Sequence, residues 1–188
     1  MRRTLLAAAL ASLLLNPLAA ARADEIKDAI TEAGRTYAAG DIAGARAALA
    51  EASQLLQQRA ADGLVRALPE PPTGWTAEEA ASQAAATIFG GMTQASRSYT
   101  NAAGQSVKVE IAADNPMIAQ MAMILGNPQM AGAMGRLVRI GAHRGVQGQD
   151  GNITLLLKNR YLVQVGGDAP VEAKLEFARA VDVARLPD

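Results

Sequence analysis

The chain has no cysteine in its 188 residues. Disulfides, thiolate metal sites and lipid attachment at a cysteine are therefore excluded, and the fold must be held by its core alone. His143 is the single histidine, so nitrogen ligands for a soft metal are scarce. Aromatics make up 3% of the chain: Tyr37, Trp75, Phe89, Tyr99, Tyr161 and Phe177. Clefts for carbohydrate or aromatic ligands usually stack them on several rings, which weakens those readings. No apolar run reaches the roughly 20 residues of a spanning helix.

The 18 basic and 18 acidic side chains balance. Arg2, Arg3 and Arg22 fall in an N-terminal segment with the grammar of an export signal. The two arginines form a positive start, Leu5 to Leu15 an apolar core, and Ala21-Arg22-Ala23 a small-x-small cleavage site. Cleavage after Ala23 leaves Asp24 as the mature N-terminus and a chain with three more acidic than basic residues. A weakly acidic chain does not suit a phosphate-backbone partner, so no nucleic acid is expected. Alanine, glycine and arginine are abundant, as in Gram-negative bacteria, and the expected location is the periplasm.

The expected organisation is a signal peptide over 1–23, a helical hairpin over 24–66, a proline-rich linker over 67–75 and an α+β domain over 76–188. In the hairpin, Ile26, Ala29, Ile30, Ala33 and Tyr37 recur at helical spacing. Gly40-Asp41 ends the first helix and caps the second. Ala45, Leu49, Ala52, Leu55 and Leu56 mark the next stripe, and the second helix is expected to run to about Gln58. Small residues dominate both helices, which suits an antiparallel pair. The prolines of Leu68-Pro69-Glu70-Pro71-Pro72 block helix continuation and strand pairing. Trp75 follows as a core anchor.

From Met92 onward the pattern is α+β. Val107, Val109 and Ile111 alternate with Lys108 and Glu110, as in a strand wet on one face. Asn101-Ala102-Ala103-Gly104 and Lys158-Asn159-Arg160 are hairpin turns. Asp114-Asn115-Pro116 starts a helix to about Leu125, and a second short helix covers Gln129 to Met134. Leu137 to Ala142 reads as a strand, with Arg144 to Gln147 as partner. Pro170 opens a terminal helix with Val171, Leu175, Ala178, Val181 and Phe177 facing inward. Residues 77–91 fit an alanine-rich helix or a buried strand equally well. The predicted fold is thus a helical hairpin followed by an antiparallel sheet covered by helices.

Gly34, Tyr37, Gly40, Asp41, Ala45, Leu49 and Ala52 give the hairpin a packing pattern that resembles one tetratricopeptide repeat. It has a one-residue deletion between Tyr37 and Gly40, and Ile30 stands where that family has an aromatic. No second copy follows, so an isolated hairpin is expected, docked or dimerising. The succession of hairpins, Gly166-Gly167 and a final helix resembles in topology the PsbP/Mog1 type of α+β domain. That resemblance implies accessory or binding roles.

No catalytic signature is legible. His143 has no nucleophile turn to serve, and Gly145 to Gly151 lacks the Lys-Ser/Thr of a phosphate loop. No enzyme activity and no cofactor are therefore expected. Met117 and Met121 share one helical face, and Met130 and Met134 repeat the spacing. These four are the candidate metal residues, because thioethers suit Cu(I). They equally suit a flexible core or an adaptable apolar groove for a hydrophobic molecule. Arg136, Arg139, Arg144 and Arg160 are expected on the wet face of the sheet, where they meet an acidic partner or solvent. The leading expectation is a non-enzymatic accessory protein that binds another periplasmic or envelope protein, or its own copy through the hairpin. A small-ligand carrier for copper or an apolar molecule is the alternative.

Overall fold

The computed structural model describes residues 17–87, 90–114 and 116–187. The apolar run Leu5 to Leu15, Phe89 and Asn115 lie outside the described residues. The chain forms two compact units, Met1–Ala52 and Ser53–Asp188.

The first unit contains helix α1, Pro17–Ala38, and the start of helix α2, Ile42–Val65. Gly40 takes a positive φ of 79°, which costs glycine nothing. The turn then closes as a glycine-terminated helix end, with Asp41 N donating to Thr36 O at 3.0 Å and Gly40 N to Tyr37 O at 3.0 Å. Asp41 Oδ1 accepts from Gly44 N at 2.8 Å and so caps α2. So short a connection makes the helices antiparallel neighbours. The buried stripes are Ala29, Ala33 and Thr36 on α1 and Ala45, Ala48 and Ala52 on α2.

Helix α2 runs past the expected end at Gln58 to Val65. Ala61 and Leu64 on this extension are buried in the second unit, and burial outweighs the weak helix propensity of Gly63. The proline segment begins as packed structure, because Ala67 and Leu68 belong to the core. Pro69 O accepts from the Tyr99 hydroxyl at 2.6 Å, and Ala67 O from Asp182 N at 3.0 Å.

The second unit is an antiparallel sheet of β1 (Trp75–Ala77), β2 (Ala81–Thr87), β3 (Gly90–Asn101), β4 (Ser106–Ala113), β5 (Gly135–Ile140), β6 (His143–Gly148), β7 (Ile153–Leu157) and β8 (Tyr161–Gly166). Its order is β1-β3-β4-β8-β7-β6-β5, and β2 also pairs with β3. The undecided 77–91 segment is therefore a strand where described, in register from Ala81↔Ser96 to Thr87↔Gly90. Helices α3 (Pro116–Gly126) and α4 (Pro128–Met134) connect β4 to β5, and α5 (Val171–Ala180) follows β8. Asn127 caps α4, accepting from Gln129 N at 3.0 Å. Lys158 and Asn159, with φ of 51° and 54°, form the β7–β8 turn, whose double positive φ matches the twist of the strands. The fold is α+β. Among the described residues no helix is long and apolar enough to cross a membrane.

Cross-strand register divides the sheet into two faces. Val109, Val165 and Ile153 align on one, as do Ile111, Val163 and Leu155. All six are fully buried. Helix α5 covers this face through Phe177, whose ring lies 5.0 Å from that of Trp75 and 4.5 Å from that of Tyr99. Phe177 and Ala178 are the buried apolar residues of α5, while Val171 and Leu175, also expected inward, pack partly buried at its edge. Burial pushes the Tyr99 phenol up to about 12. The opposite face carries a smaller cluster under α3 and α4: Ile118, Met121, Leu125, Ala131, Val146 and Leu162.

Gly167, with φ of 120°, brings the turn after β8 against the Ser106 carbonyl so closely that a Cβ would collide with it. Asp168 Oδ1 then accepts from Ser106 Oγ at 2.7 Å and from Ser106 N at 2.5 Å. The hydroxyl bond first, then the amide bond, holds the Asp168 carboxyl below its ordinary value.

Two predictions follow from this packing. Phe177→Ala empties the site between Trp75 and Tyr99 and costs about 3–5 kcal/mol in urea unfolding. A loss near zero would show that α5 does not seal the core. The lowered Asp168 value makes its contribution full above the unfolded-state value and lost as pH falls through the folded one. Ser106→Ala removes the hydroxyl bond and keeps the amide bond, so urea unfolding across pH shows a smaller loss of stability on the acid side and an unchanged neutral-to-alkaline slope; an unchanged acid side would contradict the assignment.

Candidate functional site

Three surfaces combine exposure with distinctive chemistry. The first is the helical hairpin. Ile30 is 50% exposed, Tyr37 68%, Ile42 55% and Leu49 56%. The sequence placed Ile30, Tyr37 and Leu49 within the packing stripes, but alanine fills the buried positions and the bulky side chains remain outside. Ile30 and Tyr37 are seven residues apart, as are Ile42 and Leu49, so each pair spans close to two turns and stays on one side of its helix. Each pair flanks the alanine stripe in the same rotational sense. Because the helices are antiparallel, equal senses bring both pairs to one face. The exposed charged residues one turn from them along the helices, Lys27 before Ile30 and Arg46 between Ile42 and Leu49, are both basic.

The second surface is a groove of ≈ 460 Å³ on the α4 side of the sheet. The register brings Ser96, Glu110, Gln164 and Thr154 into one cross-strand row, and the last three line the groove. Lys108 Nζ lies 3.3 Å from Glu110 Oε2. At one end Asn152 Nδ2 donates to Asp150 Oδ2 at 2.7 Å, and Asn152 Oδ1 accepts from the buried Lys174 at 3.2 Å. Gly151, at φ 75°, makes this the turn that Asp150-Gly151-Asn152 predicted. Met134 and Val146 form an apolar wall. Carboxylates, amides and a hydroxyl together suit a polar, neutral or zwitterionic group.

The third surface is a notch of ≈ 430 Å³ where the end of α3 meets the β5–β6 and β7–β8 turns. His143, partly buried at the start of β6, lines it together with Arg144 and Lys158. The four arginines do not gather at one place. Arg139 stands directly opposite Arg144 across the hairpin, Arg136 stands opposite Gln147, and Arg160 pairs with Asp114 at 3.6 Å.

The candidate methionines are divided in their surroundings. Met117 is 53% exposed, Met130 48% and Met134 44%, whereas Met121 is 7% exposed within the apolar cluster beneath α3 and α4. Met121 fills the core there, the use for which an unbranched thioether is well suited. Among the described residues no group of three or more His, Asp or Glu side chains is placed to hold a metal ion.

Sequence periodicity missed the outward hairpin face because large and small apolar residues score alike in a stripe. The seven-residue spacing of the large ones, which Leu56 repeats on α2, was the available signal. No protein-family model matches the chain, and neither curated proteins nor solved structures give a significant match.

The position of Met121 makes a direct prediction. Met121→Leu costs less than about 1.5 kcal/mol, as volume-conserving exchanges do, whereas Met121→Ala costs about 2–5 kcal/mol. Equal, negligible losses in chemical unfolding would remove Met121 from the core.

Proposed function

We propose that this chain is exported, loses its leader after Ala23, and acts in the periplasm as a non-enzymatic accessory protein. It binds the apolar face of a helical segment on another envelope protein, using the outward face of the hairpin. The observation that carries this reading is the exposure of Ile30, Tyr37, Ile42 and Leu49 while alanines occupy the buried stripes. Together these four side chains present on the order of 400 Å² of exposed surface, a patch size that on monomers is often functional. The basic Lys27 and Arg46 beside them favour a partner helix with acidic borders over another copy of the same basic-edged face. Tetratricopeptide-like helix pairs and the absence of a legible nucleophile–base pair agree with a binding role.

A small-ligand role is the second reading. It is favoured by Met134 lining the groove, with the exposed Met130 one turn before it on α4.

The test is a photo-crosslinking amino acid placed at Leu49 and, as control, at the exposed Glu51 on the opposite side of α2. Position 49 yields one discrete adduct with a different envelope protein, the control yields none, and Tyr37→Glu abolishes the adduct without changing the circular dichroism. Adducts only with lipid or with a second copy, or equal labelling at both positions, would contradict the reading. Mass spectrometry of cell fractions finds the periplasmic form starting at Asp24. Uncleaved chain confined to the cytosol would contradict export.

A further inference from the structure

The notch at the end of α3 has a chemical polarity that the hairpin reading leaves unused. Its floor is apolar, made by Ala122 and Leu125 of α3 and Leu156 of β7. Its rim carries Arg144 and the Lys158 turn, and among the described residues no carboxylate lines it. The groove on the same sheet is lined by Glu110 and Asp150, so the two cavities differ in charge.

A cross-strand arginine pair concentrates positive charge at the rim. Arg139 and Arg144 are direct cross-strand partners, an arrangement in which like charges repel and destabilise the pair. Both residues are exposed. Arg139 Nε donates at 3.4 Å to the carbonyl of Gly141 in the intervening turn, which is neutral and leaves the repulsion in place. Lys158 is held at the facing turn, where its ammonium donates to Leu186 O at 3.2 Å. An oxyanion between these turns relieves the Arg139–Arg144 repulsion, and a guanidinium fork matches its two oxygens. The volume of ≈ 430 Å³ falls in the range of small-molecule sites.

We propose that this notch binds a small amphiphilic anion: an apolar tail against Leu125 and Leu156, and a carboxylate or phosphate head against Arg144, with Arg139 beside it. Cationic rim and apolar floor are each ordinary surface features, and it is their union in one cavity that selects the ligand class. A neutral apolar molecule leaves the Arg139–Arg144 repulsion in place, and a free oxyanion leaves the floor wet.

The experiment is calorimetric titration of the full mature chain with octanoate and octyl phosphate below their micelle-forming concentrations, alongside octanol and inorganic phosphate. At least one amphiphile binds saturably with a stoichiometry of about one. The tail-only and head-only probes bind at least tenfold more weakly, and the stronger of the two amphiphiles identifies the head group. Arg144→Gln weakens binding at least tenfold. Ala142→Trp, which fills the mouth of the notch from an exposed turn, blocks binding while circular dichroism stays unchanged. A structural role alone, in which Arg144 merely offsets the carbonyl end of α3, gives a lowered melting temperature for Arg144→Gln and no saturable binding by the parent chain. That result overturns the proposal. So does octanoate binding that neither variant alters.

Discussion

The β4, β8 and β7 strands share two rows of aliphatic side chains, Val109–Val165–Ile153 and Ile111–Val163–Leu155, and these rows fix the position of everything packed on that face. A one-residue slip in any of the pairings would turn a row to the opposite side of the sheet. With no disulfide available, the register is held by that burial and by short turns. The Lys158–Asn159 turn sets β7 against β8, and Gly167 with Asp168 fastens the end of β8 to the start of β4. Phe177 then locks α5 onto the rows, with Trp75 and Tyr99 on either side. Tyr99 in turn ties the proline segment to the sheet through Pro69. The sequence has few aromatics, and three of them meet at this one place.

The other face of the sheet is treated differently. Helices α3 and α4 cover part of it with a small methionine- and leucine-bearing cluster, and the remainder is a polar row. Where the helices stop, cavities form. Their chemistry follows from which strand residues lie beyond the helix ends. Glutamate, glutamine and threonine surround the groove, whereas arginine and lysine surround the notch. The site-bearing part of the domain is thus its less completely covered face, as expected when a rigid scaffold holds variable edges.

Much of this architecture was legible. Alternation at Val107, Val109 and Ile111 identified β4, the Gly40–Asp41 pair identified the helix turn, and the short helix expected from Gln129 to Met134 is α4. Two features were hidden for physical reasons. Residues 81–87 are alanine-rich with no period of their own, and they are a strand because β3 is long enough to offer them an edge. The side of α1 and α2 that is buried was also hidden, since a stripe containing both alanine and bulky residues does not reveal which of them faces inward. The arginines were expected together on the wet face of the sheet, meeting an acidic partner or solvent. Only the register shows that Arg139 meets Arg144 while Arg160 turns to Asp114. For the four candidate methionines, spacing identified shared helix faces but not depth, and of these four only Met121 is buried.

The central claim is that alanine forms the buried side of the hairpin and large apolar side chains are left outward for a partner. Because the chain has no native cysteine, thiol labelling of single-cysteine variants tests it directly. Tyr37→Cys and Leu49→Cys are predicted to react with a maleimide at nearly the rate of an unstructured thiol, and Ala33→Cys and Ala45→Cys to react at least tenfold more slowly under native conditions. Protection at positions 37 and 49 in the isolated protein, with free reaction at 33 and 45, would contradict the account.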